Sequence, residues 1–258
     1  MTAPPIVGNV RHRRARWPWI LLVALGVLAA LVVAAELLAR TVVPGIVRSV
    51  VVEQLELPTD QQLEVQTAGI LLPQLVWGTL HELRLSSDEV TIGGITGSAH
   101  VTATDVHIRG GALGTAKGTV SIDQTQFAAL LRDSQLPDAE ISLDAPNATV
   151  QGEISLLGRD IPVGLTVLPA ADDGNLLLTP ISVTLGGSQI DLQGLADLLG
   201  SAGEKLAGPQ RICIADRLPA GITLTGLRIQ GIRAVADISA DGRITVDPAL
   251  LENGSCPG

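Results

Sequence analysis

A long uncharged run near the N-terminus divides this 258-residue chain into two parts that must fold in different surroundings. The run extends from Trp17 to Ala35 and would be about 28 Å long as a helix at ~1.5 Å per residue. That length is close to the ~30 Å hydrocarbon core of a bilayer. We therefore predict a transmembrane helix within residues 17–39, preceded by a basic cytoplasmic tail, residues 1–16.

Arginines stand on one side of this run only, in the stretch "RHRRAR" that directly precedes Trp17. The positive-inside rule then places the N-terminus in the cytoplasm and the chain after Arg40 outside. We expect a single-pass protein of the inner (plasma) membrane with an extracytoplasmic, periplasmic domain. A cleaved signal peptide is the alternative, since "VVAA" offers small residues, although the apolar region of such peptides is usually only ~7–15 residues long.

The composition of the chain favours short strands. Hydrophobic residues make up 46% of it but aromatic residues only 2%, and 28 glycines interrupt the apolar segments. A core built from Val, Leu, Ile and Ala, cut at short intervals by Gly, Pro, Asn and Asp, is typical of a mainly β protein. The predicted fold class is α+β, mainly β, behind one N-terminal transmembrane helix.

The charge of the external part excludes one class of partner. Five of the 17 Lys and Arg and one of the 26 Asp and Glu precede Thr41, which leaves 12 basic against 25 acidic residues and a net charge of −13. Nucleic acid is therefore not expected as a partner. An acidic surface also disfavours broad adhesion to anionic lipid, while a local patch or an apolar route to lipid stays open.

Two histidines in "SAHVTATDVHIRG" raise the question of a metal site. In an extended strand, His100 and His107 point to opposite faces, because side chains alternate along a strand. They cannot converge on one ion without a bulge between them. We predict a plain strand here, no metal and no cofactor.

Three helices are expected around the strands. After a break at Pro44-Gly45, the segment from Thr41 to Leu57 has helical apolar spacing that includes Val47, Val50 and Val51. A second helix follows a cap at Asp123, with an apolar stripe formed by Phe127, Leu130 and Leu131. That stripe either closes the end of a sheet or covers an apolar interior as a lid. A further helix is expected in "DLQGLADLLGSAGEKL", and a hairpin turn at Asp241-Gly242.

The two cysteines, Cys213 and Cys256, both fall in the external part. An oxidising compartment favours a disulfide between them, although two unpaired thiols are the alternative because sequence does not establish that they are close.

No enzyme signature is found: no G-x-S-x-G context, P-loop or dinucleotide fingerprint occurs, and we predict no catalytic activity. The phrases "LVWGTLHELRLSSDEVTIGGITGSAHVTATDVHI", "QTQFAALL", "LLGRDIPVGLTV" and "LPAGITLTGLRIQGIRAVADIS" resemble the actinobacterial LmeA-like family of envelope phospholipid-binding proteins. The resemblance covers about Thr41 to Val246. It implies a curved antiparallel sheet wrapped around helices, as in tubular lipid-binding domains, and an apolar groove.

These observations predict an extracytoplasmic domain, residues 40–248, followed by a C-terminal tail, residues 249–258. The predicted function is phospholipid binding at the membrane, to carry or sense lipid in the assembly of envelope glycolipids. The lining would include Phe127, Leu130, Leu131, Val47, Val50 and Val51. An ordinary filled core is the alternative for the interior, and a non-enzymatic scaffold for envelope biosynthetic proteins is the alternative function.

The predicted orientation can be tested with a reporter. Alkaline phosphatase fused after Leu57 should be active, because that enzyme needs disulfides that form outside the cytoplasm. A reporter that works only in the cytoplasm should be silent at the same position. The opposite pattern would contradict the orientation derived from the arginines.

Overall fold

A computed structural model describes residues 17–54, 63–92, 95–126, 140–156, 159–190, 192, 200 and 207–256. Its first element is one helix, α1 (Trp17–Gln54). The part from Leu21 to Arg48 is long and apolar enough, by length and composition, to cross a membrane. Apolar side chains on this helix, such as Leu22, Leu25 and Leu38, are exposed.

The predicted break at Pro44-Gly45 is wrong, because α1 continues through Pro44 to Gln54. Proline lacks an N–H group, so the helix loses the hydrogen bond to the carbonyl of Arg40. Arg40 is exposed, and a proline can bend a helix without ending it. The helix therefore tolerates the loss, and the segment that begins at Thr41 is a continuation of the apolar helix.

A short second helix, α2 (Leu71–Trp77), stands between the first two strands. The stretch "LEVQTAGILLP", whose alternation predicts a strand, is helical from Leu71 to Pro73, so that prediction is wrong for these three residues. Gly78 ends the helix with φ +80°, a conformation that glycine adopts without strain, and its N–H donates to the carbonyl of Gln74 at 2.8 Å.

Within the described residues, twelve strands form two antiparallel sheets, which confirms the mainly β fold class. Sheet 1 has the order β1-β2-β3-β4-β12-β11. Its strands are β1 (Glu64–Thr67), β2 (Thr79–Ile92), β3 (Ile95–His107), β4 (Ala116–Asp123), β12 (Arg233–Ala240) and β11 (Ile222–Gln230). The sheets are open and do not close into a barrel.

Sheet 2 has the order β10-β8-β7-β6-β5, and β9 pairs with β8. Its strands are β5 (Glu140–Asp144), β6 (Asn147–Leu156), β7 (Arg159–Asp172), β8 (Asn175–Leu185), β9 (Ser188–Ile190) and β10 (Gln210–Ile212). Turns at Ala145-Pro146 and Asp173-Gly174 connect β5 to β6 and β7 to β8.

The C-terminal segment packs on the start of β11. The N–H of Ala220 donates to the carbonyl of Glu252 at 2.8 Å, and the N–H of Gly254 donates to that of Leu218 at 3.0 Å. A disulfide joins Cys213 to Cys256, as the sequence predicts. Residues 249–256 are thereby tied to the body of the protein.

The hairpin predicted at Asp241-Gly242 is wrong, because β12 ends at Ala240 and a 3₁₀ turn (Gly242–Thr245) follows. Asp241 accepts hydrogen bonds from the side chain and the backbone N–H of Arg243, which lower the pKa of Asp241 to about 2. The carboxylate therefore stabilises this turn at all pH values above its ordinary pKa, and that contribution is lost as the pH falls through about 2.

The disulfide should contribute measurably to stability. Replacing Cys213 and Cys256 together with Ser should lower the free energy of unfolding by about 4 kcal/mol, because a closed loop of about 44 residues restricts the unfolded chain. Urea unfolding of the detergent-solubilised chain measures this difference. Untreated protein should also resist alkylation when it is denatured without reductant, and two labelled thiols would contradict the crosslink.

Candidate functional site

Each sheet has one apolar face, and the two apolar faces meet along β11. We call these the inner faces. Strand β11 packs against β7 and β5. At this contact Leu143 of sheet 2 lies buried with Ile229 and Ala234 of sheet 1, and Ile141 and Ala148 pack around them. The core of the domain is therefore a seam between two sheets.

On sheet 2, part of the inner face away from the seam is exposed. On β7, Val167 is buried, whereas Leu165, two residues further from the seam, is 39% exposed. Leu185 on β8, at the same end of sheet 2, is also exposed. Other inner-face residues are half-buried: Val150, Val163 and Val183 in sheet 2, and Leu85, Val90, Val101, Val120 and Ile122 in sheet 1.

The chemistry of the inner faces is almost purely aliphatic. Among strand residues whose side chains are described, the register places no Phe, Trp or Tyr on them, and charged or imidazole side chains only at the end of sheet 1 next to α2, at His81, Asp105 and His107. Gly118 leaves room for neighbours, because a Cβ there would lie 3.0 Å from Ile238 and 3.4 Å from Val101. Such a surface offers extensive contact to alkyl chains.

The outer faces are polar. On sheet 1 the hydroxyl of Thr119 donates to Asp237 at 2.8 Å, and Arg228 pairs with the same carboxylate. These two contacts, the Thr119 hydrogen bond foremost, lower the pKa of Asp237. Two depressions of about 470 and 440 Å³ border on polar groups, one beside Asp173 and Asn253 and one over Gln151 and Glu153. Neither offers an aliphatic surface comparable to the inner faces.

The predicted lid helix begins at the seam. The carboxylate of Asp123 accepts the N–H of Thr125 at 3.2 Å, as expected for the predicted cap, and residues 124–126 are helical. The side-chain oxygen of Gln124 accepts the N–H of Leu143 at 2.8 Å. Phe127, Leu130 and Leu131 lie outside the described residues, as does most of the helix predicted after Leu192.

The three valines predicted to line the groove lie in the last turns of α1. Val47 is half-buried, and α1 packs against β1 at the edge of sheet 1. Val50 and Val51 belong to α1, but their side chains are outside the described part of the chain. These residues stay a prediction.

The histidines of β3 lie apart, as the alternation predicts. His100 is opposite Ser86 and Thr119 on the polar face, and His107 contacts the carbonyl of Ala112 at 2.9 Å. Within the described residues, no group of three His, Cys, Asp or Glu side chains could hold a metal ion.

Sequence reasoning missed a polar clamp between α1 and α2. The two carboxylate oxygens of Glu36 accept the N–H groups of Leu71 and Leu72, each at 2.9 Å. Arg40 pairs with Glu36 at 3.0 Å and donates to the carbonyl of Gly69 at 3.0 Å. The available signal was a charged pair, Glu36 and Arg40, directly after an apolar run. The backbone groups that this pair contacts lie about 30 positions further along the chain, where the sequence gives no sign of them.

The fold and the inner faces define a class of protein: two open amphipathic sheets with an aliphatic interior, behind an apolar N-terminal helix. A family model described as LmeA-like phospholipid-binding matches residues 34–233. The chain belongs to this family. No curated protein and no solved structure matches it.

The clamp leads to a prediction about the N-terminus of α2. Glu36→Ala removes both acceptors, so the amides of Leu71 and Leu72 should exchange hydrogen faster with solvent. Glu36→Gln keeps one acceptor and should have a smaller effect. Hydrogen exchange of the full chain measures this, with β11 as the internal control. Unchanged exchange at Leu71 and Leu72 in the alanine variant would contradict the clamp.

Proposed function

We propose that this protein is a membrane-anchored, extracytoplasmic phospholipid-binding protein that holds acyl chains between the inner faces of its two sheets. It would carry or sense lipid during assembly of envelope glycolipids, without catalytic activity of its own. The observation that supports this most directly is an aliphatic face that extends from the buried seam to the exposed Leu165 and Leu185. Membership of a phospholipid-binding family supports the same ligand.

The balance of free energies suits reversible binding. A chain of ~15 methylenes gains on the order of 12 kcal/mol on leaving water, at ~0.8 kcal/mol per group, but gains little on leaving an equally apolar bilayer. Affinity must then come from the fit of the chain to the inner faces and from contacts to the headgroup. Such a protein can take up and release lipid at a membrane.

The anchor and the lid complete the proposal. Helix α1 would hold residues 40–248 beside the outer leaflet from which lipid is taken, with the N-terminus in the cytoplasm. Phe127, Leu130 and Leu131 would cover the acyl chain, because their helix begins beside Leu143 at the seam. The last turns of α1, with Val47, Val50 and Val51, would extend the apolar surface at the edge of sheet 1.

The proposal predicts where lipid touches the protein. The full chain is reconstituted in vesicles that contain a phospholipid with a photoreactive diazirine on its acyl chain, and the crosslinked peptides are mapped by mass spectrometry. Crosslinks are expected in β7 and β8 as well as in α1, where they report the anchor.

Two single substitutions on β7 provide a matched pair. Leu165 on the inner face and Leu168 on the outer face are 39% and 36% exposed, so neither Leu165→Asp nor Leu168→Asp removes a buried side chain. Leu165→Asp should abolish the crosslinks in β7 and β8, because a charge would have to be desolvated against the acyl chain. Leu168→Asp should leave them unchanged. Wild-type protein that crosslinks only through α1 would overturn the proposal and favour the scaffold role.

A further inference from the structure

Helix α2 and the residue before it carry apolar side chains of which large fractions are exposed. Ile70, Val76 and Trp77 are 62%, 73% and 74% exposed. Other external residues of similar character are less exposed, and the remaining two tryptophans belong to the first turn of α1. A seven-residue helix that, together with the isoleucine before it, leaves an isoleucine, a valine and a tryptophan in water has an unfavourable surface unless something apolar covers it.

The position of α2 relative to α1 indicates what covers it. Glu36, which clamps the N-terminus of α2, directly follows the uncharged run that ends at Ala35. If that run spans the bilayer, the start of α2 is at the depth where the hydrocarbon ends. Tryptophan and aliphatic residues at this depth are typical of interfacial contacts, because the headgroup region accepts both apolar bodies and polar edges.

The turn after β3 places one more apolar residue, Ile108, and a cation, Arg109, beside the C-terminal end of α2. The N–H of Ile108 donates to the carbonyl of Gly78 at 3.1 Å, and Ile108 is itself exposed. The side chain of Arg109 crosses Gly78, where a Cβ would lie 3.6 Å from the guanidinium carbon. Arg109 has no ion-pair partner in the part of the chain that the structure describes.

We propose that α2 and the β3–β4 turn form a second membrane contact that lies in the interface of the bilayer beside α1. Ile70, Val76 and Trp77 enter the boundary between headgroups and acyl chains, and Arg109 contacts lipid phosphate. The proposal rests on the anchoring of α1 stated under Proposed function. Its consequence is that the domain is held by two points, so that its orientation on the membrane is fixed and does not rotate freely about the anchor.

Intrinsic fluorescence tests this contact in the full chain. Trp17→Phe and Trp19→Phe leave Trp77 as the only tryptophan. The protein is reconstituted in vesicles of phosphatidylcholine and phosphatidylglycerol whose acyl chains carry bromine either near the headgroup or near the methyl end. Trp77 should be quenched more strongly by the shallow bromines and should be shielded from acrylamide in the aqueous phase.

A matched control places the tryptophan at the opposite end of sheet 1. Ile232, 57% exposed, lies in the β11–β12 turn next to Ala234, which the strand register places level with Gly97 of β3. From Gly97 to His107, at the α2 end of the same strand, is about 33 Å at ~3.3 Å per residue. Trp77→Phe with Ile232→Trp, in the same background, should give a tryptophan that acrylamide quenches and brominated lipid does not.

The outcomes separate this contact from the rest of the account. Protein that fails to float with the vesicles would contradict the anchor. Protein that floats, but whose Trp77 is quenched by acrylamide and not by brominated lipid, would overturn the second contact alone, as would a Trp77 shielded by another copy of the chain. Leu165→Asp should leave the quenching of Trp77 unchanged, since the signal reports contact with the bilayer and not lipid between the sheets.

Discussion

The rest of the structure depends on one contact, the packing of two apolar sheet faces along β11. Because side chains alternate along a strand, each antiparallel sheet in this chain has an aliphatic face and a polar face. Leu143, Ile229 and Ala234 bury the aliphatic faces where they meet. The sheets do not close on each other elsewhere, so Leu165 and Leu185 remain accessible at the far end of sheet 2. The same aliphatic surface that forms the core continues into a candidate binding site.

The described inner faces carry no Phe, Trp or Tyr, and this affects how much space is left between the sheets. A phenylalanine or tryptophan buries 150–250 Å² and would fill the space between the sheets. Valine, leucine, isoleucine and alanine form a smoother surface, and at Gly118 the neighbouring Ile238 and Val101 occupy the room that a side chain would take. Trp77 lies on the outside, on the short helix that Glu36 clamps to α1. Trp77 and the aliphatic inner faces thus lie in separate parts of the fold.

Part of this architecture could be predicted from the sequence, and the errors have local causes. The alternation in "SAHVTATDVHIRG" predicted a strand with His100 and His107 apart, which is confirmed, because period two depends on neighbouring residues alone. Helix α2 was missed because its first residues are continuous apolar positions without a capping side chain, and its N–H groups are satisfied by Glu36, 35 residues earlier. Pro44 predicts a break that the structure does not have, because α1 continues through it to Gln54. Asp241-Gly242 predicts a hairpin turn, but the same two residues also suit the start of the 3₁₀ turn in which Arg243 donates to Asp241. No pattern of Val or Leu along one strand could show that the two sheets meet along β11, because that depends on which strands pack.

Native mass spectrometry of the full chain, released from nanodiscs of mixed phospholipid, tests the central claim most directly. The account predicts a folded protein that keeps one phospholipid after the surrounding bilayer lipids have been removed, and that loses it when Leu165 is replaced with Asp but not when Leu168 is. A folded wild-type chain that retains no phospholipid under conditions that preserve the disulfide between Cys213 and Cys256 would contradict it.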